Sequence, residues 1–307
     1  MRADTHDSGT AGRLPNLVVA GVSKAGTTSL FNYLGQHPDI CVSDVKELRY
    51  FTPLRYGDPL PPVETYADHF RGCTGQEYAA EATPGYFYGG QALASGLAGT
   101  CPGCRVVVSL RSPAERCWSW FGFVKSRLRI PKEMSFEEYL DLCEELHATG
   151  LDGLLSNQPF WGLKGGCYAD WMDAWTGTFG DRLRVIFFDD LVREPRQVVT
   201  AMCDWLGLDT TAVQAFTFDV DNKTTLYRSA GLQHVAVLAN RHSERFFRRH
   251  MRLKRLLRAG YYVANRAPSQ VGMSASARAR LNAFYEPYNE RLARQLAEVG
   301  LHLPSSW

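Results

Sequence analysis

Residues 16–30, NLVVAGVSKAGTTSL, run an apolar strand into a glycine-rich turn and on into a helix start, with one lysine inside the turn. Few local plans suit such a segment. The loop amides and the first helical turn point at one spot, the helix dipole adds partial positive charge there, and Gly21 and Gly26 let the backbone come close to an anion. Thr27, Thr28 and Ser29 add hydroxyl donors. The lysine discriminates between kinds of loop. The nucleoside-triphosphate pattern G-x-x-x-x-G-K-[ST] needs Lys directly after the second glycine, whereas here Thr27 follows Gly26 and Lys24 lies two residues before it. The segment therefore reads as a phosphate-binding loop unlike that of ordinary ATPases. A strand-turn-helix without a ligand stays open on this segment alone.

The rest of the chain supplies a matching frame. Apolar runs at 17–20, 78–80, 105–110 and 183–188, with one short strand ahead of Lys46, read as buried strands, and segments of helical period lie between them. Alternating strands and helices predict an α/β fold: a single domain, 14–307, with a central parallel β-sheet flanked by helices and a helical C-terminal part over about 230–307. The polar residues 1–13 read as a disordered tail. Ser112, with Pro113 and Glu115 after it, reads as a helix cap, and Ser135 starts another helix whose acidic residues 137–145 form a solvated face. Aromatics at 168–179 have helical spacing and read first as core packing. A long helix is expected over 275–299. The proline-rich stretch 53–62 reads as a loop at a cleft rim, and the loop 147–166, with Trp161 and Lys164, is of the kind that lines binding sites.

Three segments in order carry a more specific signal. After the loop come 46–51, KELRYF, and then 105–121, RVVVSLRSPAERCWSWF, a second strand entering a helix. With these the chain resembles the sulfotransferase family that uses 3'-phosphoadenosine 5'-phosphosulfate, most closely its carbohydrate branch, including the heparan sulfate enzymes. The resemblance spans about residues 15–210. It implies that 21–30 binds the 5'-phosphosulfate through Lys24, Gly26, Thr27, Thr28 and Ser29, and that Arg111 and Ser119 hold the 3'-phosphate. The family's Lys-Glu-Pro-x-Phe-Phe segment matches Lys46, Glu47 and Phe51, with Leu48 in place of proline. Its Glu-x-Thr-Pro-x-Tyr segment appears as 81–86, with Ala82 where related enzymes often carry lysine. Residues 222–228 fall where the family closes a loop over the nucleotide, which implies a phosphate contact for Lys223.

Chemistry assigns roles within that resemblance. Glu47 is the expected general base for an acceptor hydroxyl, tuned upward in pKa by a desolvated cleft. Lys46 is expected to neutralise charge at the sulfonate or the acceptor, which on a regular strand would face away from Glu47 and so needs a turn there. Lys24 meets the leaving group. Glu81 and Trp161 are candidate acceptor contacts, Glu81 equally a partner for a lysine. Arg111 has a structural alternative as an ion-pair partner of Glu115.

Charge and cysteine usage narrow the partners. Net charge is +2, yet residues 241–258 hold eight Lys/Arg against one Glu. That segment reads as an amphipathic helix with a solvated basic face, or else as a contact for an anionic acceptor or a peripheral membrane surface. No recognised nucleic-acid motif accompanies it, so nucleic acid is not expected. Of eight cysteines only Cys101 and Cys104 have ligand-like spacing, without a second pair, so no metal is expected and the thiols read as reduced. No secretory signal or long apolar run is seen, which gives a cytoplasmic, bacterial-type enzyme as the expectation. The expected function is O-sulfation of a carbohydrate or glycosylated small molecule or lipid. The alternatives are a nucleotide-dependent kinase using the glycine-rich loop and a non-catalytic nucleotide- or anionic-glycan-binding protein.

Overall fold

The computed structural model describes residues 12–219, 229, 231–234, 265 and 272–307. Residues 1–11 of the expected tail, Lys223 with the rest of 222–228, and the basic segment 241–258 lie outside the described residues. Five strands, β1 (Leu17–Gly21), β2 (Ile40–Val42), β3 (Tyr78–Ala82), β4 (Arg105–Leu110) and β5 (Leu183–Phe187), form one sheet in the order β2-β3-β1-β4-β5. Every pairing is parallel. The strands are mostly apolar because both faces are covered, with Glu81 of β3 and Ser109 of β4 as buried polar exceptions. Along β1, Val18 and Ala20 enter one core while Leu17 and Val19 enter the other.

Helices α1 (Thr27–Leu34) and α8 (Pro195–Leu206) cover the second face. The first carries α3 (Gly90–Thr100), α4 (Pro113–Ser126), α5 (Phe136–Ala148), α6 (Ala169–Phe179) and the long α9 (Ala275–Ala297). The short helices α2 (Val63–Ala67) and α7 (Phe188–Arg193) complete the numbered set. Local signals account for most boundaries. Ser135 and Glu138 form the reciprocal cap that starts α5. Pro195 opens α8, and Gly207 at φ 78° closes it. The aromatics of α6 pack inward as expected, with Trp175 fully buried.

Several expectations need correction. Ser112 precedes α4 but makes no side-chain cap bond, and Glu115 turns instead to Arg278 at 2.6 Å and Arg111 at 3.7 Å. The acidic face of α5 is not merely solvated: Arg280 of α9 binds Glu144 through two 2.7 Å hydrogen bonds and meets Asp141 at 2.8 Å. Tyr285 reaches the Leu163 carbonyl at 2.6 Å, so α9 closes over the loop before α6. Cys41 and Cys73 are not reduced thiols but a disulfide, 32 residues apart in sequence, formed where β2 meets the turn after α2. Cys101 and Cys104 are free and buried; burial pushes the Cys101 thiol up to about 12.

The disulfide closes a loop worth about 3–4 kcal/mol in chain-entropy terms. Reduction, or Cys41→Ser with Cys73→Ser, is expected to lower the urea midpoint correspondingly, and reductant should have little further effect on the double variant. An identical midpoint with and without reductant in the parent would show that the staple contributes nothing.

Candidate active site

The direction of the first crossover reverses at β1: α1 leads outward to β2, while β3 crosses back over β1 to β4. Open α/β sheets bind ligands beyond the carboxyl ends of the strands at such a point. The loop of residues 22–26 lies there, anchored to the end of β4. Val22 N–H donates to the Ser109 carbonyl at 2.9 Å, and Ser109 Oγ donates to Ala25 O at 2.6 Å. Lys24 and Gly26 both have positive φ, 75° and 76°. At Gly26 a side chain would also strike Phe188 and Leu191, so close packing and conformation together require glycine. Thr27 is buried, and Thr28 and Ser29 are half-buried on the first turn of α1.

Lys24 is the electrostatic focus. Burial, then the charges of Arg111, Arg127 and Arg116, lower its pKa to about 8, while Glu47 opposes the shift. Its ammonium lies 4.7 Å over the Phe123 ring. Arg111 donates to the Lys24 carbonyl at 3.2 Å and packs 4.5 Å over Phe188. Its ion pair with Glu115 is long, because that carboxylate is drawn toward Arg278. Ser119 is half-buried on α4, two turns beyond Arg111 on the stripe of Glu115.

Glu47 sits at the end of β3, its N–H donating to the Ala82 carbonyl at 3.1 Å. The required turn is present, with φ 64° at Glu47 and 59° at Arg49. It lets Lys46 and Glu47 share one side, 3.3 Å apart, and brings Arg49 to 3.1 Å from the same carboxylate. The expected upward pKa is corrected. Burial does raise it, but the side chain is 40% exposed, and Lys46 and Arg49 outweigh burial and hold the carboxyl below its ordinary value. Glu47 is therefore ionised at neutral pH, an acceptor for a proton and not a donor.

Glu81 is not at the surface of the site. It is fully buried, with Tyr66 and Thr83 hydroxyls donating to its two oxygens. Burial pushes its pKa up, against the hydrogen bonds of those hydroxyls and the charge of Lys46. Its work is to hold α2 and the β3 end behind the Lys46–Glu47 turn. Trp161, expected to line the site, is 6% exposed and lies beneath Arg55, whose guanidinium carbon is 4.1 Å from the ring centre.

Sequence reasoning missed two residues behind the loop. Arg116 is wholly buried, donating to Tyr88 Oη at 3.2 Å and Gly162 O at 2.9 Å. Tyr88 in turn donates to Gly165 O at 3.1 Å and meets the Ser23 backbone amide, so a fixed cation is coupled to the loop through one hydroxyl. A signal existed: Arg116, Trp120 and Val124 share one helical stripe that is otherwise apolar, and a charge there must find polar partners. Gly165 is required for space, since a Cβ would fall against Arg116 and Trp161.

A family model for the sulfotransferase domain matches residues 100–255. The chain is 28% identical over 204 residues to bifunctional heparan sulfate N-deacetylase/N-sulfotransferase 1 of Caenorhabditis briggsae, covering 64% of this chain and 23% of that protein. It is 35% identical over 134 residues to the membrane-associated sulfotransferase kil1 of Dictyostelium discoideum, covering 41% and 27%. The chain thus spans about a quarter of the length of the curated relatives it matches. A sulfotransferase structure from Alicyclobacillus acidocaldarius superposes with a TM-score of 0.69 at 22% identity, over 96% of this chain and 99% of that one, a likeness of fold.

Competitive amine labelling against pH should give Lys24 a midpoint near 8, well below that of the surface lysines. Arg111→Gln should move the midpoint up, and so should added sulfate. Lys24 titrating together with the bulk lysines would contradict the electrostatics described above.

Proposed function

The chain belongs to the sulfotransferase family, and we propose that it is an O-sulfotransferase that moves the sulfuryl group of 3'-phosphoadenosine 5'-phosphosulfate to a hydroxyl of a carbohydrate or glycoconjugate. One arrangement carries this: the loop lysine, Lys24, lies within the field of both Arg111 and the ionised Glu47, at the carboxyl edge of β1, β3 and β4. The donor is a phosphate ester with an attached sulfonate, and the amides of 22–29 with Lys24 suit that end. Arg111 has a two-donor fork for the 3'-phosphate, with the Ser119 hydroxyl on α4, the helix that follows it. The similarity to heparan sulfate N-deacetylase/N-sulfotransferases supports the carbohydrate acceptor.

The reaction is an in-line displacement at sulfur. The acceptor oxygen forms the new S–O bond, and the bond from sulfur to the 5'-phosphate oxygen breaks with its electron pair staying on phosphate. The acceptor proton passes to Glu47, which is already deprotonated. Lys24 meets the negative charge that grows on the leaving oxygen, and Lys46, only 10% exposed, stands beside Glu47 to offset charge at the sulfonate. Positioning and charge stabilisation are the dominant contributions, as in phosphoryl transfer.

Calorimetric titration with 3',5'-bisphosphoadenosine, beside ATP and ADP with magnesium, tests the donor class. Tight binding of the bisphosphate without magnesium, lost in Arg111→Ala, is expected; preference for ATP would move the site to kinase chemistry. The protonated ammonium is the binding form, so affinity should fall as pH rises from 7 through about 8. Lys24→Arg should remove that fall. Glu47→Gln should keep bisphosphate affinity while lowering turnover roughly 100- to 10,000-fold, and full activity in that variant would remove Glu47 as the base.

A further inference from the structure

Building on that reading of the site, we propose that Arg55 selects the acceptor by binding an anionic group on it, a carboxylate or a sulfate ester. Arg55 lies on the 3-10 turn Thr52–Tyr56, the continuation of the segment that carries Lys46 and Glu47. Its guanidinium is stacked on Trp161, which packs edge-on against Tyr88 at 5.6 Å and lies 6.2 Å from Trp171. The platform is thus rigid, and stacking leaves the in-plane N–H donors of the guanidinium directed outward.

Those donors meet no acceptor among the described residues. Among the described residues Arg55 has no ion pair and no hydrogen bond, although its side chain is half-buried. The ionisable groups that act on it among the described residues are the Tyr56 and Tyr88 hydroxyls, with no carboxylate beside them. A guanidinium that is partly desolvated, fixed in orientation and lacking an acceptor is matched to a planar oxyanion bound through two hydrogen bonds. Its position relates it to the reacting end of the site. The charge of Arg55 acts on the Tyr88 hydroxyl, which meets the Ser23 amide of the phosphate loop. The group it binds therefore belongs to the molecule that approaches the loop from the side of the Thr52–Tyr56 turn, where Glu47 stands at the start of the same segment.

Shielding of Trp161 is the competing account, and a variant separates the two. Arg55→Met keeps an unbranched apolar cover over the indole and removes the charge; Arg55→Lys keeps the charge and loses the fork. The protein loaded with 3',5'-bisphosphoadenosine is titrated with 4-nitrophenyl β-glucuronide and with 4-nitrophenyl β-glucoside, which share ring and aglycone and differ at the carboxylate. The glucuronide is expected to bind the parent about 10-fold or more tightly than the glucoside. The preference should vanish in Arg55→Met and return in part in Arg55→Lys, with bisphosphate affinity and urea midpoint unchanged in both. Equal binding of the two glycosides by the parent, no binding of the glucuronide, or a preference that survives in Arg55→Met would overturn the assignment. Failure of the bisphosphate to bind the parent would instead overturn the donor reading, and this inference with it.

Discussion

Repulsion among cations held close together is what the rest of the site must contain. Lys24 carries its ammonium among the charges of Arg111, Arg116 and Arg127, and one carboxylate, Glu47, acts against them. In water such a group would disperse, since each side chain is long and well hydrated. Here the backbone prevents it. The Ser109 carbonyl and hydroxyl fasten the loop to β4, Arg111 leaves the end of the same strand, and Arg116 is enclosed by Tyr88, Gly162 and Gly165. The sheet therefore holds a positive potential at one edge that an incoming polyanion relieves. The depressed pKa of Lys24 reflects its burial first and that field second.

The parts of this arrangement that depend on neighbours in sequence were legible there. Strand, glycine turn and helix start are contiguous in residues 16–30, the Ser135 cap needs only Glu138, and α6 shows its core face by spacing alone. The turn that puts Lys46 and Glu47 on one side was required by their adjacency and is supplied by a positive φ at Glu47. What depends on distant chain was not legible. Cys41 and Cys73 meet only because β2 and the turn after α2 are brought together. Glu81 reads as a strand-end carboxylate until Tyr66 folds over it. The sign of the Glu47 shift turned on a competition between burial and two cations, and Arg49, whose place in sequence suggested no role, helped to decide it.

A division of labour follows between the two faces of the sheet. The face covered by α1 and α8 is mainly an aliphatic core around Val19, Val107 and Ile186, with Phe31, Tyr33, Tyr78 and Phe216 set into it. The face toward α4, α6 and α9 is dense with aromatic rings, and polar atoms are threaded between them: Tyr88, Tyr168 and Tyr285 each give a hydroxyl to a backbone carbonyl. Rings with a polar tip can line a site and still pack a core. That is why the residues that position the loop are buried, and why substitutions there will affect folding and ligand affinity together.

Glu115 shows how far the influence of the C-terminal helix extends. One oxygen of this carboxylate is taken at 2.6 Å by Arg278 of α9, which leaves the other 3.7 Å from Arg111. A carboxylate beside a phosphate-binding arginine is an internal rival for that arginine, present at a fixed and very high effective concentration. By occupying the rival, α9 keeps Arg111 exchangeable, able to release a weak intramolecular partner for a stronger external one. Through Arg278, the C-terminal helix thus sets how readily the site gives up its own counter-ion.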